Sequence, residues 1–300
     1  MRVWSIGEVL WDVFPDQERL GGAALNFCAN MHHLGNSATL LSAVGKDTRG
    51  SLALDQMRSL GLRTEGVREV EELATGIATV STGVEGEPEY VIPRPAAFDR
   101  LSVEAGLLAE AKDDGVDWLY FGTLLHVEPE MERLTTELSQ QLQPARAFYD
   151  INLRQGQWNL ALVQRLSRLA TVLKLNEAEA KTLFDLTQTT QETFSLEAFC
   201  RNWASDYGID LICGTLGAAG CFVYDRGTKT YASGYPVTVC DTVGSGDAFA
   251  AGFLHGYALG WPMARTTAFA NALGAVVASR AGATPAWTVD EVFALAAAGR

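Results

Sequence analysis

The sequence predicts an α/β protein in which helices cover both faces of a mostly parallel sheet. Three observations predict this class. Short apolar runs alternate with longer helical patterns over most of the 300 residues, which is typical of parallel strands joined by helices. Hydrophobic residues make up 48% of the chain, enough for a sizeable core. From about Gly246 the chain becomes helical and rich in alanine.

The strands are predicted from short apolar runs, and the helices from apolar residues at helical spacing. The predicted strands are Val3–Ile6, Ala38–Val44, Trp118–Phe121, Ala147–Tyr149, Thr171–Leu175 and Leu211–Cys213. The helices between them are Ala24–Leu34, Arg49–Leu60, Val103–Lys112, Glu128–Leu142, Leu160–Leu169, Glu177–Leu186 and Leu196–Tyr207. Three helices complete the chain, namely Asp247–Leu259, Met263–Arg280 and Val289–Ala298.

Two stretches outside this alternation predict a small second sheet. Residues 9–20 form an extended apolar and acidic segment, and residues 76–95 hold short apolar runs around a turn at Gly86. A two-stranded hairpin alone is marginally stable, so the sheet must lie against something, as a lid, an oligomer contact or both. An ordinary edge hairpin is the alternative. The whole chain, 1–300, is predicted to be one domain that carries this lid.

Charge and cysteine content exclude several classes of partner. The formal net charge is −13, so the chain lacks the basic surface expected of a protein that binds nucleic acid or an anionic membrane. No apolar run approaches the ~18 residues of a membrane helix. The five scattered cysteines indicate reduced side chains rather than a disulfide framework or a zinc site. We therefore expect a cytoplasmic protein.

One glycine-rich stretch indicates an anion site at the start of a helix. It reads Asp241-Thr242-Val243-Gly244-Ser245-Gly246-Asp247. Glycines let successive backbone N–H groups face a ligand, and the helix adds the positive end of its dipole. Gly244, Ser245 and Gly246 are therefore a candidate anion cradle. Asp247 is either a helix cap or a base that accepts a proton from an attacking hydroxyl.

A second glycine-rich stretch, Gly21-Gly22-Ala23-Ala24-Leu25-Asn26, precedes the first helix. Small residues let the backbone approach a ligand closely, and Asn26 can hydrogen-bond hydroxyl groups. Asp12, on the segment before it, can accept hydrogen bonds from a polyol. The alternative is a tight strand-to-helix turn in which Asn26 faces its own helix.

Polar residues also follow the later strands. Asn176 and Glu179 have the spacing of a helix capping box, at a strand end where the water shell of Mg²⁺ can be held. Thr215, Gly217 and Gly220 lie in a turn between two strands. Read alone, each of these elements has an ordinary structural explanation.

A further polar group follows the strand at Ala147–Tyr149. Asp150, Asn152 and Arg154 occupy alternate positions, so in an extended segment their side chains would point the same way. We expect them to face the crevice at the carboxyl ends of the strands.

Taken together, these segments resemble the ribokinase-like sugar kinases of the PfkB carbohydrate kinase family. The resemblance rests on four elements in order, namely Gly21-Gly22 with Asn26, the Asn176/Glu179 pair, the Thr215-Leu216-Gly217 turn, and Asp241-Thr242-x-Gly244-x-Gly246-Asp247. It spans the chain from Gly7 to about Pro285. It implies a three-layer sandwich with a mostly parallel central sheet and a β lid, and an enzyme that transfers the γ-phosphoryl group of ATP to a sugar hydroxyl.

The resemblance also implies roles for single residues. Asp247 would be the general base, and the amides of Gly244, Ser245 and Gly246 would form the anion hole for the transferred group. Asn176 and Glu179 would organise Mg²⁺ and its waters. The residues implied to bind ATP are Asn176, Thr215, Gly217, Gly220, Gly244 and Gly246. The residues implied to bind the sugar are Asp12, Gly22, Ala23, Asn26, Arg154 and Asp247.

Two further features follow from the family resemblance. Members often have a monovalent-cation loop beside the anion hole, for which Asp241 and Val243 are the candidates here, with K⁺ as the ion and backbone from the 279–282 region. Dimerisation of two copies through the lid is the other expectation. Nothing in the composition indicates either feature.

The choice of sugar rests on three motifs, which are most similar to those of bacterial fructokinases. They are Gly7-Glu8-Val9-Leu10-x-Asp12, the Gly21-Gly22-Ala23 start, and Asp150-x-Asn152-x-Arg154-x-x-x-Trp158. The related 2-keto-3-deoxygluconate kinases share the last of them. Asp12 favours a neutral polyol, since a carboxylate repels an acidic sugar, whereas Arg94, Arg100 and Arg154 are cations available to a carboxylate or phosphate. We expect phosphorylation of D-fructose to fructose 6-phosphate. The alternatives are a 2-keto-3-deoxygluconate kinase, another sugar or nucleoside kinase of the family, and a catalytically silent sugar sensor.

Overall fold

The computed structural model describes residues 1–82, 88–142, 146–188 and 193–298. The chain divides into two compact units. The first unit comprises Met1–Ala145 and Arg154–Gln157, and the second comprises Arg146–Leu153 and Trp158–Arg300. Each unit combines helices with parallel strands.

The first unit contains eight strands and four helices among its described residues. The strands are β1 (Arg2–Ile6), β2 (Leu10–Val13), β3 (Glu18–Gly21), β4 (Ser37–Gly45), β5 (Val67–Val70), β6 (Gly76–Thr82), β7 (Pro88–Val91) and β8 (Trp118–Gly122). The helices are α1 (Ala23–His33), α2 (Thr48–Ser59), α3 (Ala105–Asp114) and α4 (Pro129–Gln141). Strands β8, β1, β4 and β5 are neighbours in that order, and all are parallel.

The second sheet of the first unit is built from the two stretches that broke the sequence pattern. Its order is β3-β2-β6-β7. Strand β2 is antiparallel to β3 and parallel to β6, and β6 is antiparallel to β7. The prediction that residues 9–20 and 76–95 form a separate small sheet is therefore confirmed. The turn predicted at Gly86 lies outside the described residues.

The second unit contains five strands and six helices among its described residues. The strands are β9 (Arg146–Asp150), β10 (Val172–Asn176), β11 (Leu211–Thr215), β12 (Gly220–Asp225) and β13 (Thr228–Ser233). The helices are α5 (Leu160–Ser167), α6 (Glu177–Thr187), α7 (Leu196–Tyr207), α8 (Ser245–Ala258), α9 (Met263–Ala278) and α10 (Val289–Ala298). Strands β9, β10 and β11 are parallel, and β12 and β13 continue the sheet as antiparallel strands.

Several helices begin at polar residues that cap them. The side chains of Asp47, Asn159 and Ser195 accept hydrogen bonds from backbone amides in the first turns of α2, α5 and α7. Such caps satisfy amides that have no acceptor inside the helix. The starts of these three helices agree with the predicted starts to within one residue. None of the ten helices in the described ranges has both the length and the apolar character needed to span a bilayer.

One buried histidine sits in a short 3₁₀ turn after β8. The Nδ1 atom of His126 lies 2.7 Å from the carbonyl oxygen of Gly122, and Nε2 lies 2.8 Å from the hydroxyl of Thr135. A carbonyl oxygen can only accept, so the hydrogen of the neutral ring is on Nδ1. Burial lowers the pKa of His126 from 6.5 to about 4. The ring is therefore neutral in the folded protein near pH 7.

This histidine should make the fold sensitive to mild acid. In the unfolded chain it binds a proton below about pH 6.5, whereas the folded protein resists protonation down to about pH 4. The neutral ring of His126 therefore contributes about 3 kcal/mol to the free energy of unfolding. This contribution is complete above pH 6.5 and is lost as the pH falls toward 4. Urea unfolding of the wild type and of His126→Gln across this range tests it, with the exposed His33→Gln as the matched control. Parallel pH profiles for wild type and His126→Gln would exclude His126 as the acid-sensitive group.

Candidate active site

The start of α8 in the second unit has the backbone expected of an anion site. Gly244 is the residue before the helix and has a φ of 77°. A Cβ atom at this position would lie 2.4 Å from the carbonyl oxygen of Ala283, so only glycine fits. The Ser245 amide donates to the carbonyl of Thr242 at 3.2 Å, so one of the three predicted cradle amides is already bonded within its loop. The Gly246 amide, at the second helical position, has no acceptor inside the helix.

Asp247 follows at the third helical position and is 9% exposed. The Asp247 carboxyl group is one of the acidic groups whose charge acts on the buried ammonium of Lys174. The side chain of Asp247 is therefore held at a helix start, close to a buried cation. A helix start and a nearby cation are both favourable surroundings for an acidic side chain.

Lys174 is the residue of this site that the sequence analysis missed. It lies on β10, and its Cα is the register partner of Asp150 on β9. Its Nζ atom lies 2.9 Å from both carboxylate oxygens of Asp150, and both residues are buried. Burial favours the neutral amine and lowers the pKa of Lys174, but Asp150, Glu179 and Asp247 together outweigh it, so the pKa is raised. The sequence does contain a signal for Lys174, because a lysine inside the apolar run Val172–Leu175 is a buried charge and a buried charge requires a partner.

The extended segment predicted from Asp150 to Arg154 ends early. Asn152 has a φ of 43°, a left-handed conformation that Asn tolerates better than most residues. A residue in this conformation turns the chain and breaks the alternation of side chains. Asp150 pairs with Lys174 instead of sharing one face with Asn152 and Arg154, so the expectation of one shared face is wrong.

Asn176 and Glu179 form the capping box that their spacing predicts. The Asn176 side chain accepts from the Glu179 amide at 2.8 Å, and the Glu179 carboxylate accepts from the Asn176 amide at 2.8 Å. The other Glu179 oxygen accepts from the Leu153 amide at 2.8 Å. Burial raises the pKa of Glu179, and these amides oppose the rise. Glu179 thus connects the start of α6 to the segment after β9.

This oxygen set fits an indirect role toward Mg²⁺. Hard oxygen donors are what Mg²⁺ prefers, and it commonly keeps several waters. Each Glu179 oxygen already accepts one amide hydrogen and keeps a second lone pair for a water hydrogen. Among the residues that the structure describes, no three His, Cys, Asp or Glu side chains converge as a metal-holding group. Phosphate oxygens would have to supply the direct ligands.

The turn between β11 and β12 is fixed by glycines. Gly217 has a φ of 57° and Gly220 a φ of 108°. A Cβ atom at Gly220 would lie 2.0 Å from the carbonyl oxygen of Ala232, so the turn packs directly on the end of β13. Thr215 ends β11. Asn271, another residue that the sequence analysis missed, donates from α9 to the carbonyls of Ala232 and Ser233 at 3.3 and 3.0 Å.

Asp241 shapes the loop before α8. Its carboxylate accepts from the amides of Val243 at 3.0 Å and Gly282 at 3.1 Å. The amides of Cys240 and Asp241 both donate to the carbonyl of Ala278. The loop at 241–243 is therefore tied to the turn after α9, the region that the resemblance assigns to a monovalent cation. Oxygen atoms of backbone carbonyls and of a carboxylate are suitable ligands for such an ion.

In the first unit, the Gly21–Asn26 stretch is the start of α1. Glu8 accepts from the Ala23 amide at 2.9 Å and so caps this helix. Gly22 has a φ of 117°, and a Cβ atom there would lie 2.3 Å from the Glu8 carbonyl oxygen. Burial raises the pKa of Glu8, while the positive charges of Arg154 and Arg94 lower it.

The other predicted sugar ligands of the first unit surround the same helix start. A Cβ atom at Gly21 would lie 2.5 Å from a carboxylate oxygen of Asp12, so the carboxylate rests on the glycine backbone. Asp12 and Asn26 are both buried, at 8% and 3% exposure. Two acidic groups, Glu8 and Asp12, and one amide group are thus placed near the first turn of α1.

Arg94 has structural partners within the first unit. It forms an ion pair with Asp99, which is buried, and it donates to the Leu124 carbonyl. The second Asp99 oxygen accepts from the Ala96 amide at 2.9 Å. Arg94 therefore holds the segment after β7 in place. Arg100 is exposed.

Comparison with known proteins identifies the family of this chain. The sequence pattern of the pfkB family carbohydrate kinases matches residues 7–289. The chain belongs to this family. It is therefore a sugar phosphotransferase, as the sequence motifs predicted.

Relatives of this carbohydrate kinase include several fructokinases. The fructokinase of Escherichia coli is 28% identical over 274 residues, which cover 85% of this chain and 84% of that protein. A solved fructokinase with bound ATP from Xylella fastidiosa has a TM-score of 0.85 at 22% identity, covering 99% of this chain and 98% of that one. A fructokinase double mutant from Vibrio cholerae, solved with fructose, ADP and a potassium ion, has a TM-score of 0.83 at 24% identity, covering 98% and 97%. The predicted α/β fold class is confirmed.

The structure groups the predicted residues of the kinase in two sets. The second unit holds those implied for ATP and ions, namely Asn176, Glu179, Thr215, Gly217, Gly220, Asp241, Val243, Gly244, Ser245, Gly246 and Asp247. The first unit holds those implied for the sugar, namely Asp12, Gly22, Ala23, Asn26 and Arg154. The roles of the individual residues remain proposals.

Proposed function

We propose that this carbohydrate kinase is a fructokinase that converts D-fructose and Mg-ATP to fructose 6-phosphate and ADP. The observation that carries the proposal is the start of α8, where a buried Asp247 adjoins the glycine amides and the ammonium of Lys174. Phosphoryl transfer needs these parts, a base and donors fixed around the transferred group. The fructokinase name of the Escherichia coli relative supports the sugar.

The reaction proceeds by direct transfer. Asp247 accepts the proton of the 6-hydroxyl as the hydroxyl oxygen forms a bond to the γ-phosphorus. The bond between that phosphorus and the β,γ-bridging oxygen breaks, and its electron pair leaves with ADP. The Gly246 amide and the positive end of α8 stabilise the charge on the transferred group. The backbone at Gly244 makes the cradle rigid, because its conformation is open only to glycine.

Two cations belong to this proposal. Asn176 and Glu179 would hold the water shell of Mg²⁺, and the bound ion would neutralise charge on the phosphates. K⁺ would occupy the loop of Asp241 and Val243, in line with the potassium ion of the Vibrio cholerae fructokinase. ATP would lie along Thr215, Gly217 and Gly220.

Fructose is favoured over an acidic sugar by the charges of the first unit. Asp12 and Glu8 are both buried carboxyl groups near the start of α1, and carboxylates accept hydrogen bonds from hydroxyls but repel another carboxylate. The positive charge of Arg154 instead favours 2-keto-3-deoxygluconate. Its charge lies near Glu8, so it is already partly balanced by the protein.

The four-stranded sheet is the proposed lid and dimer surface. A lid excludes water from the reacting groups and so prevents hydrolysis of ATP. Val91 on its edge strand β7 is 55% exposed, which favours contact with a second copy of the chain. A cytoplasmic location, where ATP is available, completes the proposal.

The substrate is tested by measuring ADP release from Mg-ATP with single acceptors. The panel contains fructose, ribose, glucose, 2-keto-3-deoxygluconate, fructose 1- and 6-phosphates, and adenosine. We expect kcat/KM to be highest for fructose. Turnover with the keto-acid alone would replace fructose by the acidic sugar and assign Arg154 to its carboxylate. Silence with every acceptor would contradict the proposed activity.

A further inference from the structure

We propose that Lys174 is a catalytic residue of the phosphoryl transfer, whose ammonium group donates a hydrogen bond to a non-bridging oxygen of the γ-phosphoryl group at Gly246. This inference rests on the proposed kinase function and adds a cation to the glycine cradle. The bonds made and broken are those of the reaction above, and Lys174 keeps its proton throughout.

The first argument is the position of the Nζ atom. An ammonium group has three N–H donors, and the bonds to Asp150 use two of them. Among the described residues, Asp150 is the only hydrogen-bond acceptor in contact with Nζ. A Cβ atom built on Gly246, one of the cradle residues, would lie 3.6 Å from Nζ. The third donor is therefore beside the helix start that the cradle uses.

The second argument is the balance of charge. Lys174 is the cation in a group with three carboxylates, those of Asp150, Glu179 and Asp247. Without Lys174 these three carboxylates would have no cation among them, so an incoming triphosphate would meet a stronger negative charge. The Asp150 carboxylate, at 2.9 Å from Nζ, supplies the partner that a buried ammonium requires. A fixed cation with low solvent access is effective at stabilising developing negative charge.

The third argument concerns the free energy of burying the ion pair between Lys174 and Asp150. A buried ion pair is seldom a good source of stability, because desolvation offsets the attraction between the charges. Well-packed apolar residues of similar volume are often as stable as a buried ion pair, or more stable. The presence of a charged pair beside the glycine cradle is explained if Lys174 contacts phosphate and Asp150 fixes the orientation of the lysine side chain.

The test distinguishes a Lys174 that contacts phosphate from a Lys174 that only neutralises the Asp150 carboxylate. The variants are Lys174→Met, the double variant Lys174→Met/Asp150→Asn, and Lys174→Arg, with the exposed Lys181→Met on α6 as the matched control. Three quantities are measured for each, namely the thermal unfolding temperature, kcat with fructose, and the ratio of the Kd for ADP to the Kd for an ATP analogue with nitrogen bridging the β and γ phosphorus atoms. The ratio reports binding of the γ-phosphoryl group and does not depend on the sugar.

We expect Lys174→Met to reduce this ratio and kcat by roughly 10- to 100-fold, the range for a lost hydrogen bond to a charged group. The double variant removes the unpaired buried carboxylate, so it should recover thermal stability but neither kcat nor the ratio. Lys174→Arg should recover part of both, and Lys181→Met should match the wild type.

Recovery of kcat and of the ratio in the double variant would overturn the proposal, because it would show that Lys174 only neutralises Asp150. An unchanged ratio in Lys174→Met would overturn it as well. If variants at this position do not fold, the wild type provides the same test, since the ¹⁵Nζ signal of a buried lysine should shift with the ATP analogue and not with ADP. A wild type that binds ATP but phosphorylates no sugar would refute the proposed function instead.

Discussion

Replacement of Asp247 by Asn should lower kcat by about 10³-fold, within the range for loss of a general base. An amide cannot take the proton of the attacking hydroxyl, although its size and its place in the first turn of α8 are those of the carboxylate. The free energy of unfolding and the Kd for ATP should change little, since Asn is also accepted at helix starts. Steady-state kinetics with fructose, together with calorimetric titration of nucleotide, measure the effect.

The control for this variant is Asp185→Asn, the same change at an exposed position of α6. It should have the kinetics of the wild type. A kcat for Asp247→Asn within about threefold of the wild type would remove the residue from the proton transfer and leave it as a helix cap.

Replacement of Gly246 by Ala should also abolish most turnover, because it blocks the phosphoryl site and does not remove a base. The position is not strained, and the added methyl group would be in ordinary contact with Lys174 at 3.6 Å. The fold should therefore persist, and Ala can even stabilise a helix by up to ~1 kcal/mol relative to Gly. The methyl group would occupy the side of the helix start where the phosphoryl group is proposed to lie. We expect kcat to fall by about 10²-fold or more.

Two other glycines serve as references for this experiment. Gly106→Ala on α3 adds a methyl group in open space and should have normal stability and activity. Gly244→Ala should unfold at lower temperature, because its methyl group would collide with the Ala283 backbone. Full activity of Gly246→Ala would show that the phosphoryl group does not use this cradle.

The regular elements could be predicted because their patterns are local. Strands such as Val3–Ile6 are continuous apolar runs, and they are buried along nearly their whole length. Helix starts such as Asp47 and Asn176 carry their own caps. Strands β5 and β13 are not among the predicted strands, because exposed residues interrupt them and weaken the apolar pattern.

The site could be predicted only in part, for a related reason. The glycine and aspartate motif of α8 is contiguous, so its chemistry could be inferred from adjacent residues. Lys174 and Asp150 are 24 positions apart, and only the register of β9 and β10 brings them together. The bond from Leu153 to Glu179 spans 26 positions and has the same origin. Tertiary pairing of this kind leaves no local pattern in a single sequence.

The central claim is that this chain transfers the γ-phosphoryl group of ATP to a fructose hydroxyl. A ³¹P NMR time course of the wild-type protein with fructose and Mg-ATP tests it most directly. We predict that the γ signal of ATP declines as ADP and a sugar phosphomonoester appear in equal amounts, with the ester phosphorus coupled to the protons on C6 of fructose. ATP that stays intact, or that yields ADP and inorganic phosphate without a sugar ester, would contradict the claim.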